Sequence, residues 1–95
     1  MDEVLCKIKE MAKKYKIRKI VLYGSRARGD HSPTSDYDLA VFGDRLSELD
    51  KAYFSSEIEE METLKEIDVT FIKEGVTDKF IEKIRKEGVI IYEQN

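Results

Sequence analysis

Apolar residues along this chain switch between helical and strand-like spacing. Val4, Leu5, Ile8, Met11, Ala12 and Tyr15 recur at intervals of three and four with lysines between them. That spacing predicts an amphipathic helix over residues 3–15. Ile17 to Tyr23 is almost continuously apolar after Arg18-Lys19, which suits a strand buried on both faces. Gly24 breaks the run, and Ser25 through Arg28 can start a short helix with Ser25 at or near its N-cap. Gly29 to Ser35 is a polar loop holding the only proline, Pro33.

Tyr37 to Phe42 predicts a second strand, ended by Gly43-Asp44. A long acidic helix follows from Ser47 to Leu64, with Leu49, Tyr53, Phe54, Ile58 and Met61 as its inner stripe and Ser47 with Asp50 resembling a capping box. Glu66 to Lys73 reads as a third strand. Thr77 caps a helix over Asp78 to Glu87, with Phe80, Ile81 and Ile84 facing inward and Gly88 as its stop. Val89 to Tyr92 is a final short strand. Helices alternating with strands in this order imply an α/β or α+β fold with a small mixed β-sheet. Residues 1–95 are expected to form a single domain.

Composition narrows the function classes. The chain has 95 residues, of which 41% are hydrophobic and 39% charged. No apolar run approaches the ~20 residues that span a bilayer, so no membrane role is expected. The one cysteine, Cys6, excludes an internal disulfide framework and suits a reducing, cytoplasmic setting. On the first helix it falls opposite the Leu5/Ile8/Ala12 stripe, as an ordinary thiol would. Net charge is −3 but unevenly spread: residues 1–35 carry nine Lys/Arg against four Asp/Glu, and residues 36–95 carry eight against sixteen. The basic cluster Lys7 to Lys19 reads as a solvated helix face or a nucleic-acid groove. The chain as a whole lacks the dominant basic field of a nucleic-acid binder, so nucleic acid is not the expected partner.

The pointed chemistry lies between Tyr23 and Phe42. Gly24 permits close backbone approach, and a strand-to-helix turn presents free N–H groups that bind phosphate. Gly24-Ser25 alone also fits an ordinary capped turn. Asp36 and Asp38 are harder to assign to structure, because acidic residues are disfavoured in strands and i and i+2 share a face. A divalent metal would relieve their repulsion, and Mg²⁺ takes a few carboxylates with phosphate and water. The other reading puts Asp36 in the loop and Asp38 at a solvated edge. Asp68 lies between Ile67 and Val69. A strand there beside Tyr37–Phe42 would set it next to the pair, as a further ligand or a proton acceptor; otherwise it sits on an exposed edge. Arg26 and Arg28 on the turn suit phosphate or are surface charge. His31, the only histidine, has no partner identifiable from sequence.

Gly-Ser, ten intervening residues, Asp-x-Asp before an apolar run, and a later strand Asp form a specific constellation. With Tyr-Gly-Ser-Arg-Ala-Arg-Gly, Ser-Asp-Tyr-Asp-Leu-Ala-Val and Glu-Gly-Val-Ile-Ile-Tyr-Glu around it, the chain resembles a minimal nucleotidyltransferase of the DNA polymerase β-like superfamily over nearly its whole length. The resemblance implies the nucleotidyltransferase fold, a small mixed sheet flanked by helices, binding ATP and two Mg²⁺ ions. Gly24 and Ser25, with Arg26 and Arg28 on the same turn, would take the phosphates. Asp36 and Asp38 would bind metal, and Asp68 would complete the metal site and activate the acceptor hydroxyl. Members of this minimal group resemble the antitoxin of HEPN toxin–antitoxin pairs and transfer AMP from ATP to a tyrosine of the toxin, so a HEPN-type toxin is the expected partner; a homo- or hetero-oligomer is compatible, and the sequence does not fix the oligomeric state. Two other functions fit the same residues: a non-catalytic antitoxin acting by contact through the acidic helix, and nucleotidyl transfer to a small molecule or an RNA end. The motif fixes neither the nucleotide preference nor the acceptor.

Overall fold

A computed structural model describes residues 3–29, 36–43, 45–61, 66–73 and 79–94, with only the backbone of Ser25 and Arg28. Its elements are α1 (Glu3–Ala12), β1 (Lys19–Tyr23), α2 (Ser25–Arg28), β2 (Tyr37–Phe42), α3 (Glu48–Glu59), β3 (Ile67–Ile72), α4 (Lys79–Glu87) and β4 (Val89–Glu93). The strands form one sheet in the order β3-β2-β1-β4. β1 runs antiparallel to both β2 and β4, and β2 runs parallel to β3. This is the mixed α/β sheet that the residue pattern predicts.

Two crossovers decide where the helices lie. The β2–α3–β3 connection joins parallel neighbours. The β3–α4–β4 connection returns from one edge of the sheet to the other. Crossovers between parallel strands are right-handed. Steps in opposite directions across one sheet therefore lay their helices on opposite faces. Burial follows. Ile20, Leu22, Tyr37, Leu39 and Val41 pack with Leu5 and Ile8 of α1 and Phe54 and Ile58 of α3. Val21, Ala40 and Phe42, the alternate residues, pack with Ile84 of α4. Alternation with period two produces this division. Among the described residues no polar or charged residue is fully buried.

Element ends differ from the spacing-based expectation in physically readable ways. α1 stops at Ala12 rather than Tyr15, and residues 13–16 form turns. Tyr15 still packs edge-on against Phe54, with ring centroids 5.8 Å apart, so its apolar contact is kept without helical geometry. Ile17 is fully buried but precedes β1. Ser47 caps α3, its Oγ accepting from the Asp50 amide at 3.0 Å. The helix is complete at Glu59, and residues 62–64 of the expected longer helix lie outside the described residues, as do Thr77 and Asp78.

The inner stripe of α3 needs correction. Phe54 and Ile58 are buried, whereas Leu49 is 61% and Tyr53 56% exposed. At about 100° per residue, Leu49 stands roughly 140° round the helix from Phe54, so one sheet cannot cover both. Phe80 of α4 is likewise 38% exposed; it lies at the margin of the face, edge-on to Tyr23 at 5.5 Å. Gly88 stops α4 as expected, its amide donating to the Ile84 carbonyl at 2.8 Å. Any Cβ at Gly88 would collide with that carbonyl and with the Val21 side chain, so glycine is needed here for close helix–sheet approach. No helix among the described residues is long and apolar enough to cross a membrane.

Candidate active site

The loop that follows β1 and the first residues of β2 bring the chemistry-bearing positions to one end of the α4 face. β1 ends at Tyr23, which pairs with Asp38 across the antiparallel ladder. Gly24 then turns the chain with φ +78°, a region open to glycine but costly for other residues. An ideal Cβ at Gly24 would stand 2.5 Å from Oδ2 of Asp38. The missing side chain therefore lets the turn close onto the carboxylate, and α2 begins at the next residue.

The parallel register of β2 and β3 sets Asp38 directly opposite Asp68. On both strands the alternate residues, Ala40 and Phe42 or Thr70 and Ile72, continue the same face. Asp36 precedes β2 by one residue and is exposed, as is Asp68, while Asp38 is partly buried. Burial, followed by the charges of Asp68 and then Asp36, pushes the Asp38 carboxyl above its usual range. Lys83 of α4 acts in the opposite direction on the same group. The Asp38 carboxyl thus feels both neighbouring carboxylates, with Lys83 opposing them.

This donor set fits a hard divalent cation, which prefers oxygen ligands and compensates clustered negative charge. The carboxylates are neighbours rather than a closed cage: among the described residues no three His, Cys, Asp or Glu side chains converge tightly enough to hold an ion.

The other expected residues are distributed as follows. Gly24 lies at the turn itself. The guanidinium of Arg26 stacks on the Tyr37 ring, 4.0 Å from its centroid, between Asp36 and Asp38 in sequence. The side chains of Ser25 and Arg28, and the whole of His31, lie outside the described residues. Lys83 escaped the sequence reading. Nothing distinguishes it from its neighbours Glu82, Arg85 and Lys86 until the second crossover lays α4 over the carboxylate face.

A second polar cluster joins the turn after α1 to α3 on the opposite side of the sheet. Lys14 Nζ lies 2.6 Å from Glu57 Oε2, and the Tyr15 hydroxyl donates to Oε1 of the same residue. The hydrogen bonds from Lys14 and then Tyr15 hold the Glu57 carboxyl below its usual range. The bond to Glu57 pushes the Tyr15 hydroxyl up to about 12. Glu57 is therefore engaged within the chain.

The family model for polymerase beta nucleotidyltransferase matches residues 6–95. A Methanocaldococcus jannaschii protein, MJ1379, which carries the provisional name of a protein adenylyltransferase, is 32% identical over 92 residues, covering 95% of this chain and 92% of that protein. Among solved structures, a toxin–antitoxin complex with AMP-PNP superposes with a TM-score of 0.67 at 19% identity, over 96% of this chain and 74% of the matched one. A Shewanella oneidensis complex of a tri-AMPylated HEPN toxin with its MNT antitoxin gives 0.60 at 17% identity, over 96% of this chain and 71% of the other. At these identities the superpositions show a shared fold.

Proposed function

Because the chain belongs to the polymerase beta nucleotidyltransferase family and is a nucleotidyltransferase, we propose that it transfers AMP from ATP to a tyrosine hydroxyl of a HEPN-type toxin and so acts as that toxin's antitoxin. The observation that carries this reading is the closure of Gly24 onto Asp38 with Asp68 opposite in register, a geometry that supports reading the turn as the phosphate holder beside the carboxylates. The relative named for protein adenylylation and the superposed toxin–antitoxin structures support the choice of acceptor.

In this reading Gly24 and Ser25 hold the β- and γ-phosphates through the turn, with Arg26 and Arg28 as flanking cations. Asp36, Asp38 and Asp68 hold Mg²⁺, in one or two ions. When bound, the metal supplies charge neutralisation between carboxylates and triphosphate and stabilises the attacking and leaving oxygens. Asp68 is exposed at the third strand and accepts the proton of the incoming tyrosyl hydroxyl. That hydroxyl oxygen attacks the α-phosphorus in line, forming the tyrosyl–AMP ester as the bond to pyrophosphate breaks. Lys83 offsets part of the negative charge around Asp38 before nucleotide arrives. The engagement of Glu57 by Lys14 and Tyr15 weighs against a purely contact-based antitoxin that presents this part of α3 to a basic partner.

The test is intact-mass spectrometry of a cognate HEPN toxin after incubation with the chain, ATP and Mg²⁺. The reading expects a mass increase of one or more AMP units on a tyrosine, lost when EDTA is added. An unmodified toxin that is nevertheless silenced would replace this reading with contact inhibition.

A further inference from the structure

The turn that follows β1 is held to β2 from both sides of the sheet, by two successive residues of that strand. On the α4 face, Gly24 closes onto the carboxylate of Asp38, where a Cβ would stand 2.5 Å from Oδ2. On the other face, the guanidinium of Arg26 lies over the Tyr37 ring, with Cζ 4.0 Å from its centroid. Ala27, the next residue of α2, packs against the core cluster that contains Tyr37. Ser25 stands between the two attached residues, so its backbone is fixed from both ends.

Tyr37 also ties in the third strand. Its amide donates to the Glu66 carbonyl at 2.9 Å, and it pairs with Ile67 one step before Asp38 meets Asp68. Asp36 and Asp38 are its covalent neighbours. One residue thus joins the turn, the strand of Asp38 and the start of the strand carrying Asp68. Tyr37 is 1% exposed, and a leucine would fill apolar space there as well. A leucine offers a guanidinium no flat, electron-rich face, whereas an aromatic ring does. Stacking engages the faces of a guanidinium, while its hydrogen-bond donors lie in its plane. The contact therefore sets where those donors are without consuming them.

We infer that Tyr37 is a positioning residue for nucleotidyl transfer: its ring holds Arg26, and with it the turn from Gly24 to Arg28, in place beside Asp36 and Asp38. This role rests on reading that end of the sheet as the transfer site. It does not depend on which hydroxyl is the acceptor. The chemistry needs it because triphosphate and carboxylates sit on different segments of chain. A displacement of about 1 Å between reacting groups costs on the order of 10²-fold in rate, so the two segments must keep a fixed relation before nucleotide arrives.

The test reads ¹⁵N backbone order parameters of the nucleotide-free full chain and the Kd of AMP-PNP with Mg²⁺ in the same variants. Tyr37→Leu removes the ring face, Arg26→Ala removes the guanidinium, and Tyr37→Phe keeps the ring. In the parent, Gly24, Arg26 and Ala27 should lie near the rigid value of about 0.85. In Tyr37→Leu and Arg26→Ala they should fall toward about 0.6, with Ile8, Val41 and Ile58 unchanged. Tyr37→Leu should weaken AMP-PNP about tenfold, the size of a desolvated cation–π contact, and Arg26→Ala at least as much. The double variant should bind no more weakly than Arg26→Ala alone, and Tyr37→Phe should bind like the parent. Arg26 is only partly buried, so Arg26→Ala decides the matter even if Tyr37→Leu does not fold. A turn that stays rigid in Arg26→Ala overturns the role, and so do affinity losses that add in the double variant. A parent that binds no AMP-PNP would count against the transfer-site reading, while the order parameters would still judge the hold of Tyr37 on the turn.

Discussion

The two faces of this sheet are made from the same strands but solve different problems. One face is closed by α1 and α3 over an apolar surface that includes Ile20, Leu22, Leu39 and Val41, all nearly or completely buried. The other is covered by α4 over Val21, Ala40 and Phe42, and at one end sets the partly buried Asp38 beside the exposed Asp68. Burial on the first face lowers the free energy of the chain. The like charges on the second raise it, which is the usual state of a site built to hold something absent from the apo protein. Burial and the proposed chemistry are therefore separated by the parity of residues along β2: Tyr37, Leu39 and Val41 lie on the closed face, Asp38 on the other.

Substitutions can break that comparison. Phe54→Ala on the closed face removes a fully buried ring that contacts Tyr15 and Phe71; it should destabilise the fold by about 3–5 kcal/mol, measured by urea unfolding. Asp38→Asn on the open face should have the opposite profile. Transfer should fall on the order of 10²–10³-fold, while thermal unfolding of the metal-free protein shifts upward because a partly buried, crowded charge is gone. A variant at Asp38 that lost stability without losing transfer would invert the assignment of the two faces.

Gly24→Ala joins both effects. The left-handed backbone costs a non-glycine residue about 1–2 kcal/mol, and the new Cβ collides with the Asp38 carboxylate. Unfolding should show that modest loss, and single-turnover assays a larger loss of rate. If the rate survives, the turn does not hold the phosphates.

The faces also differ in the sign of their pH dependence. Asp38 has a raised carboxyl. Its contribution to stability is fully present below the unfolded carboxylate value and is lost as pH rises through the higher folded one. Asp38→Asn should therefore stabilise more at pH 7 than at pH 3.5. Glu57 has a lowered carboxyl. Its contribution is present above the unfolded value and is lost as pH falls through the folded one. Glu57→Gln should therefore be destabilising near pH 7, and progressively less so as pH falls below the usual carboxylate range. Thermal melts across this range check both signs. The smallest effect is expected at the solvent side of α3: Leu49→Ser and Tyr53→Ser should each stay within about 0.5 kcal/mol of the parent, a result that an inward-facing stripe would not allow.

Much of this arrangement was legible in the chain because it depends on local periodicity. The near-continuous run before Tyr23 marks a strand buried on both faces, Tyr37 to Phe42 marks a second strand, and Ser47 with Asp50 marks a cap that the structure contains. The strand carrying Asp68 could be read, and placing it beside β2 was a conditional that the parallel register satisfies. What was not legible required tertiary knowledge. Leu49 and Tyr53 fit a generous helical stripe, and only the width of the sheet beneath α3 decides that they face water. Lys83 is one lysine among several on α4, and its relation to Asp38 follows from a crossover whose direction no local pattern encodes. Gly88 was read as a helix stop, whereas its deeper constraint is the approach of Val21 from another element.

The central claim is that the end of the open face bearing Gly24, Asp36, Asp38 and Asp68 is where nucleotide and metal meet. Paramagnetic broadening by Mn²⁺ in the presence of AMP-PNP tests it most directly, because the ion reports its own position without requiring turnover. The amide signals of Gly24, Asp36, Asp38 and Asp68 should broaden first and together, and Asp38→Asn should abolish the effect while the closed-face signals of Ile8, Phe54 and Ile58 stay sharp throughout. Broadening centred elsewhere, or undiminished by Asp38→Asn, would contradict the account.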